Sequence, residues 1–215
     1  MIKRCSLFLF LAVLFNIACL SQVDSGEIRT LFKKTDSSKK VPIGWFVGPD
    51  GMYTQFKHRD VFLGGLNFGI TINHFFSVGL AGNVILNSCN LWYEKIEEHQ
   101  GAYLAGGYAG AFLEFTVAPK FPVHVSFPVL IGGGGLTYVY NFYSDWNQFW
   151  DLTSLDWDAF FVIEPGVRIE LNVIKAVRIF VGGSYRYTPD LELMNTSPDL
   201  INNFNGIIGL KFGKF

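Results

Sequence analysis

From Ile43 onward, apolar residues alternate with small or polar ones at a period of two. Such alternation marks β-strands with two unlike faces. The clearest run is FFVIEPGVRIELNV, Phe160 to Val173. Phe161, Ile163, Val167, Ile169, Leu171 and Val173 share one face, while Glu164, Gly166, Arg168, Glu170 and Asn172 share the other. VRIFVGGSYRY repeats the pattern, with Val177, Ile179, Val181, Tyr185 and Tyr187 set against Arg178, Gly182, Ser184 and Arg186. Only IKA separates the two runs, so they predict an antiparallel hairpin. No stretch beyond the N-terminal region carries a convincing long helical period.

The same reading predicts eight strands, over residues 44–56, 61–72, 76–88, 103–117, 123–141, 159–173, 176–188 and 204–215. Connections at 73–75, 118–122 and 174–176 are short. Those at 89–102, 142–158 and 189–203 are long, and the first hairpin, KHRD, is brief. One end of the molecule is therefore closed by turns and the other carries loops.

Alternation alone does not say which face meets the core. Charged residues make up 16% of the chain, against about 25% in soluble domains, so the polar face is too poor in charge for an ordinary solvent face. It is rich in Gly, Asn and Ser, which suit the interior of an eight-stranded barrel. Its charges also nearly balance: Glu114, Glu164 and Glu170 can meet Arg168, Arg178, Arg186 and Lys211. That set predicts a lumen charge network, because a buried ion needs a partner. Aromatics gather where strands end. Trp92, Tyr93, Tyr138, Tyr140, Phe142, Tyr143, Tyr185 and Tyr187 fall toward the loops, and Phe75, Phe76, Phe115, Phe121 and Phe212 toward the turns. Two aromatic girdles are what bilayer interfaces favour. The pattern thus predicts an all-β fold, an eight-stranded antiparallel up-and-down transmembrane β-barrel, with its last strand paired to its first. The principal rival is a soluble, lipocalin-like barrel binding an apolar ligand, in which the aliphatic face would be the interior.

The N-terminus predicts export. Lys3 and Arg4 precede an apolar run, Leu7 to Ala18, too short to span a membrane as a helix. Cleavage after Ser21 fits best. A lipoprotein signal acting at Cys19 fits less well, with Asn16 and Ile17 poorly suited to the positions before it. The expected organisation is a signal peptide over 1–21, a polar extension over 22–42 and a barrel over 43–215. After such cleavage only Cys89 remains, so no internal disulfide can form. A net charge of −1 gives no footprint for nucleic acid.

The segments GITINHFFSVGL, LIGGGGLTYVY, DAFFVIEPGVRIELNV and GIIGLKFGKF resemble parts of small outer-membrane β-barrel proteins of Bacteroidetes-type bacteria. The resemblance covers roughly residues 26–215. It implies a Gram-negative outer-membrane location and an eight-stranded barrel, and brings no catalytic motif. In one detail the chain departs from the usual final strand: Phe215 falls on the parity opposite to Ile208, Leu210 and Phe212, which raises the possibility of a bulge.

Candidate chemistry is sparse. His58, Arg59, Asp60, Glu94, Glu97, Glu98, His99, Asp145, Asp151, Asp156 and Asp158 lie at the loop end, where an acid–base pair could assemble only by spatial convergence. Adjacent Glu97, Glu98 and His99 are poorly spaced for a metal. His74 and His124 read as turn or interfacial residues. The IGGGG run lacks the Lys-Ser/Thr and helix of a phosphate loop, and reads as glycines that allow curvature or close packing. No cofactor, metal or catalytic residue is assigned. DWNQFWDLTSLDW, Asp145 to Trp157, sets three tryptophans among three aspartates. Trp146, Phe149, Trp150 and Trp157 fall roughly on one side of a short helix. They are read first as an interface anchor or barrel cap with the aspartates in water, and second as a stacking site for a sugar or other surface ligand. The expected role is structural or interactive, without catalysis. A surface binding module or narrow-channel transporter is the alternative. Expected partners are outer-membrane lipid and, for folding, the barrel-assembly machinery, with an unknown surface ligand possible.

Overall fold

A computed structural model describes residues 41–88, 91–97, 100–140, 153–189 and 191–215. The expected signal peptide, most of the polar extension, Cys89, Glu98, His99, Asp145, Trp146, Phe149, Trp150 and Asp151 lie outside them. Nine strands follow in chain order: β1 (Ile43–Phe56), β2 (Arg59–Ile72), β3 (Phe76–Ile85), β4 (Trp92–Glu97), β5 (Gln100–Val117), β6 (Val123–Tyr140), β7 (Thr153–Ile174), β8 (Val177–Arg186) and β9 (Asn203–Lys214).

Each strand pairs antiparallel with its neighbours, in the order β3-β2-β1-β9-β8-β7-β6-β5-β4, and β3 also pairs with β5. That last pairing closes an eight-stranded ring. β4 stands outside it, pairing with β5 alone among the described residues. First and last strands meet as the alternation requires, with Trp45 opposite Lys214 and Tyr53 opposite Gly206. Closure leaves no open edge in the ring, so its backbone groups are satisfied within the wall.

Two differences from the sequence reading lie at the loop end. Residues 92–97, expected in a loop, form β4 in a hairpin with the start of β5. β7 begins at Thr153 rather than at residue 159 and pairs with β6 from the outset, Thr153 opposite Tyr140. Above the apolar band the outer face no longer has to be aliphatic, so the sequence loses its alternation there while the ladder continues.

The tight connections fit their turns. Lys57 and His58 carry the first hairpin with φ of 45° and 68°. Two consecutive positive values are the type I′ geometry whose twist matches that of the strands.

The wall sorts its side chains as a membrane barrel does. Trp45, Phe68, Ile70, Leu80, Val123, Ile169, Leu171, Val181 and Ile208 point outward and are exposed. Glu114, Glu164, Arg168, Glu170, Arg178, Arg186 and Lys211 point inward and are buried. A soluble lipocalin-like barrel would show the reverse. β9 carries this alternation to its end without a register shift against β1 or β8. There is thus no bulge: Phe215 keeps the inward parity of Lys211, and its ring lies 3.7 Å from the Arg178 guanidinium carbon.

Candidate functional site

The lumen is filled. Toward the turns, Lys211 Nζ donates to both oxygens of Glu114, at 2.6 and 2.7 Å, and also to Glu170 Oε1. Ser126 Oγ donates to the same Glu170 oxygen at 2.7 Å. The other Glu170 oxygen faces His124 Nε2 at 3.2 Å and Arg178 Nη1 at 3.5 Å. Arg168 Nη1 lies 3.7 Å from Glu114, an ion pair without a hydrogen bond. His124 was expected at a turn or interface. It is instead buried in this cluster, because Val123 and Val125 face outward and the alternation turns it inward.

Higher in the lumen, Glu164 accepts hydrogen bonds from Tyr108 and Ser184, both at 2.5 Å. Arg186 donates to Tyr108 Oη at 3.3 Å and, through Nε, to the carbonyl of Ile201 at 2.9 Å. Asp50, which the sequence reading left out of the network, accepts from Asn67 Nδ2 at 2.7 Å. With it, four inward carboxyl groups (Asp50, Glu114, Glu164, Glu170) stand against four basic side chains (Arg168, Arg178, Arg186, Lys211) among the described residues. Each arginine also lies over an aromatic ring: Arg168 at 4.5 Å from Phe180, Arg178 on Phe215, Arg186 at 5.2 Å from Phe56. These contacts use the ring quadrupole where hydration is lost.

Inward glycines make room for this packing. A Cβ on Gly134, in the IGGGG run, would come within 2.6 Å of Phe160 and of Tyr108, while Gly133 faces outward into open space but for one carbonyl. A mid-lumen cavity bordered by Asp50, Asn67, Glu164 and Arg168 has about 20 Å³ open to a water's centre. That is room for about one water, far short of a solute path.

The loop-side mouth is plugged by an apolar layer that the polar-lumen expectation did not include. Leu191, Leu193, Leu200 and Ile201, from the segment between β8 and β9, are buried with Phe56, Leu104, Leu136, Tyr138 and Val162. Tyr138, expected in a girdle, points inward and its hydroxyl lies 2.6 Å from Thr196 Oγ1. Tyr93 is half-buried against Tyr138, ring centroids 5.9 Å apart, and the Arg59 guanidinium carbon lies 4.8 Å from the Tyr93 ring centroid. Burial and the neighbouring Tyr138 push the Tyr93 phenol up to about 12.

Asp156 was expected in water and Asp158 among the loop-end polar residues. They point toward the mouth and accept the backbone N–H groups of Met194 and Glu192, both at 2.6 Å. Between them Trp157 points the other way and is 69% exposed on the outer face of β7. It is a strand residue, so it does not continue a helical stripe with Trp146, Phe149 and Trp150. Outward Tyr53, Phe62, Tyr185, Tyr187 and Phe204 join it in a loop-side aromatic band, while Trp45, Phe75, Phe76, Phe115, Phe121 and Phe212 form the turn-side one.

The loop-end polar residues disperse. Asp60 accepts from Tyr53 at 2.7 Å and Gln55 at 2.9 Å, and Asp199 accepts from Ser197. Ser197 and the backbone hold the Asp199 carboxyl below its ordinary range. Among the described residues no three His, Cys, Asp or Glu side chains gather as a metal site.

The chain matches no protein-family model and no curated protein sequence. Its barrel is similar to the N-terminal β-barrel domain of Pseudomonas aeruginosa OprF, at 8% identity, over 81% of this chain and 99% of that one, with a TM-score of 0.50. It is also similar to neisserial surface protein A, NspA, at 12% identity, over 82% of this chain and 100% of that one, with a TM-score of 0.53. The likeness is one of fold, that of small outer-membrane β-barrels.

Proposed function

We propose that this chain is an integral outer-membrane barrel with a structural or interaction role and no catalytic step. One observation carries the reading: a closed ring that exposes its aliphatic side chains and buries a balanced set of charges. In water that sorting would cost free energy twice, by wetting the apolar belt and by desolvating the ions. In a bilayer the first cost becomes a gain. The belt has a suitable height: Phe204 to Phe212, both included, are nine residues of β9, where about 9–11 tilted residues cross the hydrocarbon.

The filled lumen favours a wall and scaffold over a narrow channel. Outer-membrane lipid is then the principal partner, and barrel-assembly machinery the expected aid to insertion. The signal-like N-terminus and the resemblance to barrels of Bacteroidetes-type bacteria support export to that membrane. Trp157, outward on β7, supports an interface anchor over a sugar platform for that residue. Trp146, Phe149 and Trp150 stay candidates for a surface ligand.

Membrane fractionation of the expressed chain, followed by gel mobility with and without boiling, tests the proposal. Recovery in the outer membrane with heat-modifiable mobility is the expected result. Recovery as a soluble periplasmic protein would sink it.

A further inference from the structure

The two ends of the barrel differ in charge. Asp60, Asp156, Asp158, Glu192 and Asp199 lie at the loop end. The turn end holds a recess of about 620 Å³ bordered by His74, Lys120, Lys175, Arg178, Lys214 and Phe215, with no acidic side chain among the described residues that line it. These residues come from three turns, the start of β8 and the end of β9, so the recess is the turn-side mouth of the lumen. Arg178 is buried and leans on Phe215; its Nη1 faces Glu170, while its Nε has no hydrogen-bond partner. None of the three lysines has an ion-pair or hydrogen-bond partner among the described residues. In a chain whose net charge is −1, this is segregation of charge and not general basicity.

The frame that carries these cations is fixed. Asn172 Nδ2 donates to the carbonyl of Phe121 at 2.8 Å, and the Asn172 N–H donates to Pro122 at 2.8 Å, which ties the Lys120 turn to β7. The Gly213 N–H donates to Ala176 at 3.0 Å, which ties the Lys175 turn to β9 beside Lys214. Like charges held together by a rigid frame repel one another, and an anion placed among them relieves that repulsion. The backbone is already ordered, so the ordering that opposes binding is confined to the lysine side chains.

We propose that the turn-side vestibule is a binding site for phosphate groups, with Lys120 and Lys175 as its recognition residues over a floor of Arg178 and Phe215, and with Lys214, on the outer parity of β9, at its rim. Lysine ammonium groups supply point charges and three donors each, suited to phosphate oxygens on a lipid headgroup or a soluble phosphate ester. The site goes beyond the scaffold role and does not depend on it, since it can be tested outside a membrane.

The test uses the purified full chain in maltoside micelles, titrated with inorganic pyrophosphate at fixed ionic strength and followed by calorimetry and amide NMR. The expected result is saturable binding with shifts confined to the vestibule. In K120Q/K175Q/K214Q that binding should weaken by at least about tenfold, the loss of one charge-assisted contact or more. Heat-modifiable mobility checks that the variant is folded, and K57Q at the opposite end should bind as the parent does. Repeating the titration in nanodiscs of phosphatidylcholine, with and without phosphatidylglycerol, separates the sources. Competition by the anionic lipid assigns the site to headgroups, and its absence to soluble phosphates. No saturable pyrophosphate binding, or binding that the folded triple variant retains, would overturn the proposal.

Discussion

Lys211 on β9 donates to both carboxylate oxygens of Glu114 on β5, at 2.6 and 2.7 Å, across the lumen and 97 residues away in sequence. The same ammonium reaches Glu170 on β7. One cation therefore joins three staves of the wall through its interior. Removing it leaves two carboxylates facing each other with less compensation. Lys211→Met should destabilise the barrel by about 3–5 kcal/mol, the cost of breaking a buried pair from one side. Lys211→Met combined with Glu114→Gln should recover part of that loss. Urea unfolding of the refolded barrel, read as a double-mutant cycle, checks both. A double variant whose loss equals the sum of the separate Lys211→Met and Glu114→Gln losses would mean that the pair is not coupled.

Lys211 and Glu114 were legible as lumen charges because alternation gives parity, and parity gives the face. The same rule locates His124, which proximity to a turn had misplaced: position in the pleat decides direction, whatever the distance to the strand end. It also turns Tyr138 inward, although an aromatic near a strand end suggests a girdle. Partners were not legible. Nothing local links Asp158 to the amide of Glu192, 34 residues later, because that contact depends on how a loop folds back over the mouth. The β4 hairpin and the early start of β7 were hidden for a related reason. Beyond the apolar band both strand faces tolerate polar residues, so the period-two signal fades while the hydrogen-bonded ladder persists.

Trp45 and Trp157 mark opposite rims of the apolar belt, and Ile208 lies between the Phe204 and Phe212 bands on β9. Indole favours the headgroup level. Variants that keep a single tryptophan at Trp45 or Trp157 should be quenched most by lipids brominated near the headgroup. A tryptophan placed by Ile208→Trp in a background without the others should be quenched most by lipids brominated deep in the acyl chains. The same depth profile at all three positions would contradict the membrane orientation.

Ser197 Oγ donates to the Asp199 carboxylate on the exposed side of the segment between β8 and β9, and Asp199's own backbone N–H adds to the effect. Both favour the charged form, so the folded group titrates below its unfolded value. The linked stabilisation is present above the unfolded pKa and is lost as pH falls through the folded one. Carboxyl NMR should show Asp199 titrating below 3.8, and Ser197→Ala should move it upward. An unchanged titration in that variant would remove Ser197 as the cause.

Lys57 and His58 occupy the left-handed region with φ of 45° and 68°, which side chains adopt at a cost. The type I′ turn prefers Asn-Gly at these positions. Lys57→Asn with His58→Gly should therefore stabilise the hairpin by roughly 1 kcal/mol. The urea midpoint should rise at unchanged slope, because the surface exposed on unfolding is the same. A fall in the midpoint would show that Lys57 or His58 makes a contact worth more than the strain.

Asp156 and Asp158 hold the plug from one strand. Each accepts a backbone N–H of the segment that enters the mouth, Met194 and Glu192, both at 2.6 Å. Leu191 and Leu193 alternate with these residues and are buried. The segment is thus fixed by hydrogen bonds on one side and apolar packing on the other. A hydrogen bond to a charged acceptor contributes about 1.5–3 kcal/mol, so its loss accelerates local opening by roughly tenfold to a hundredfold. In Asp156→Ala/Asp158→Ala, hydrogen exchange at the Glu192 and Met194 amides should rise by about that factor. The β7–β8 ladder lies below the plug and should keep its protection. If exchange at both amides stays at the parent level, the carboxylates are bystanders and Leu191 and Leu193 hold the plug alone. If protection falls throughout β7 and β8, the plug and the wall open as one unit.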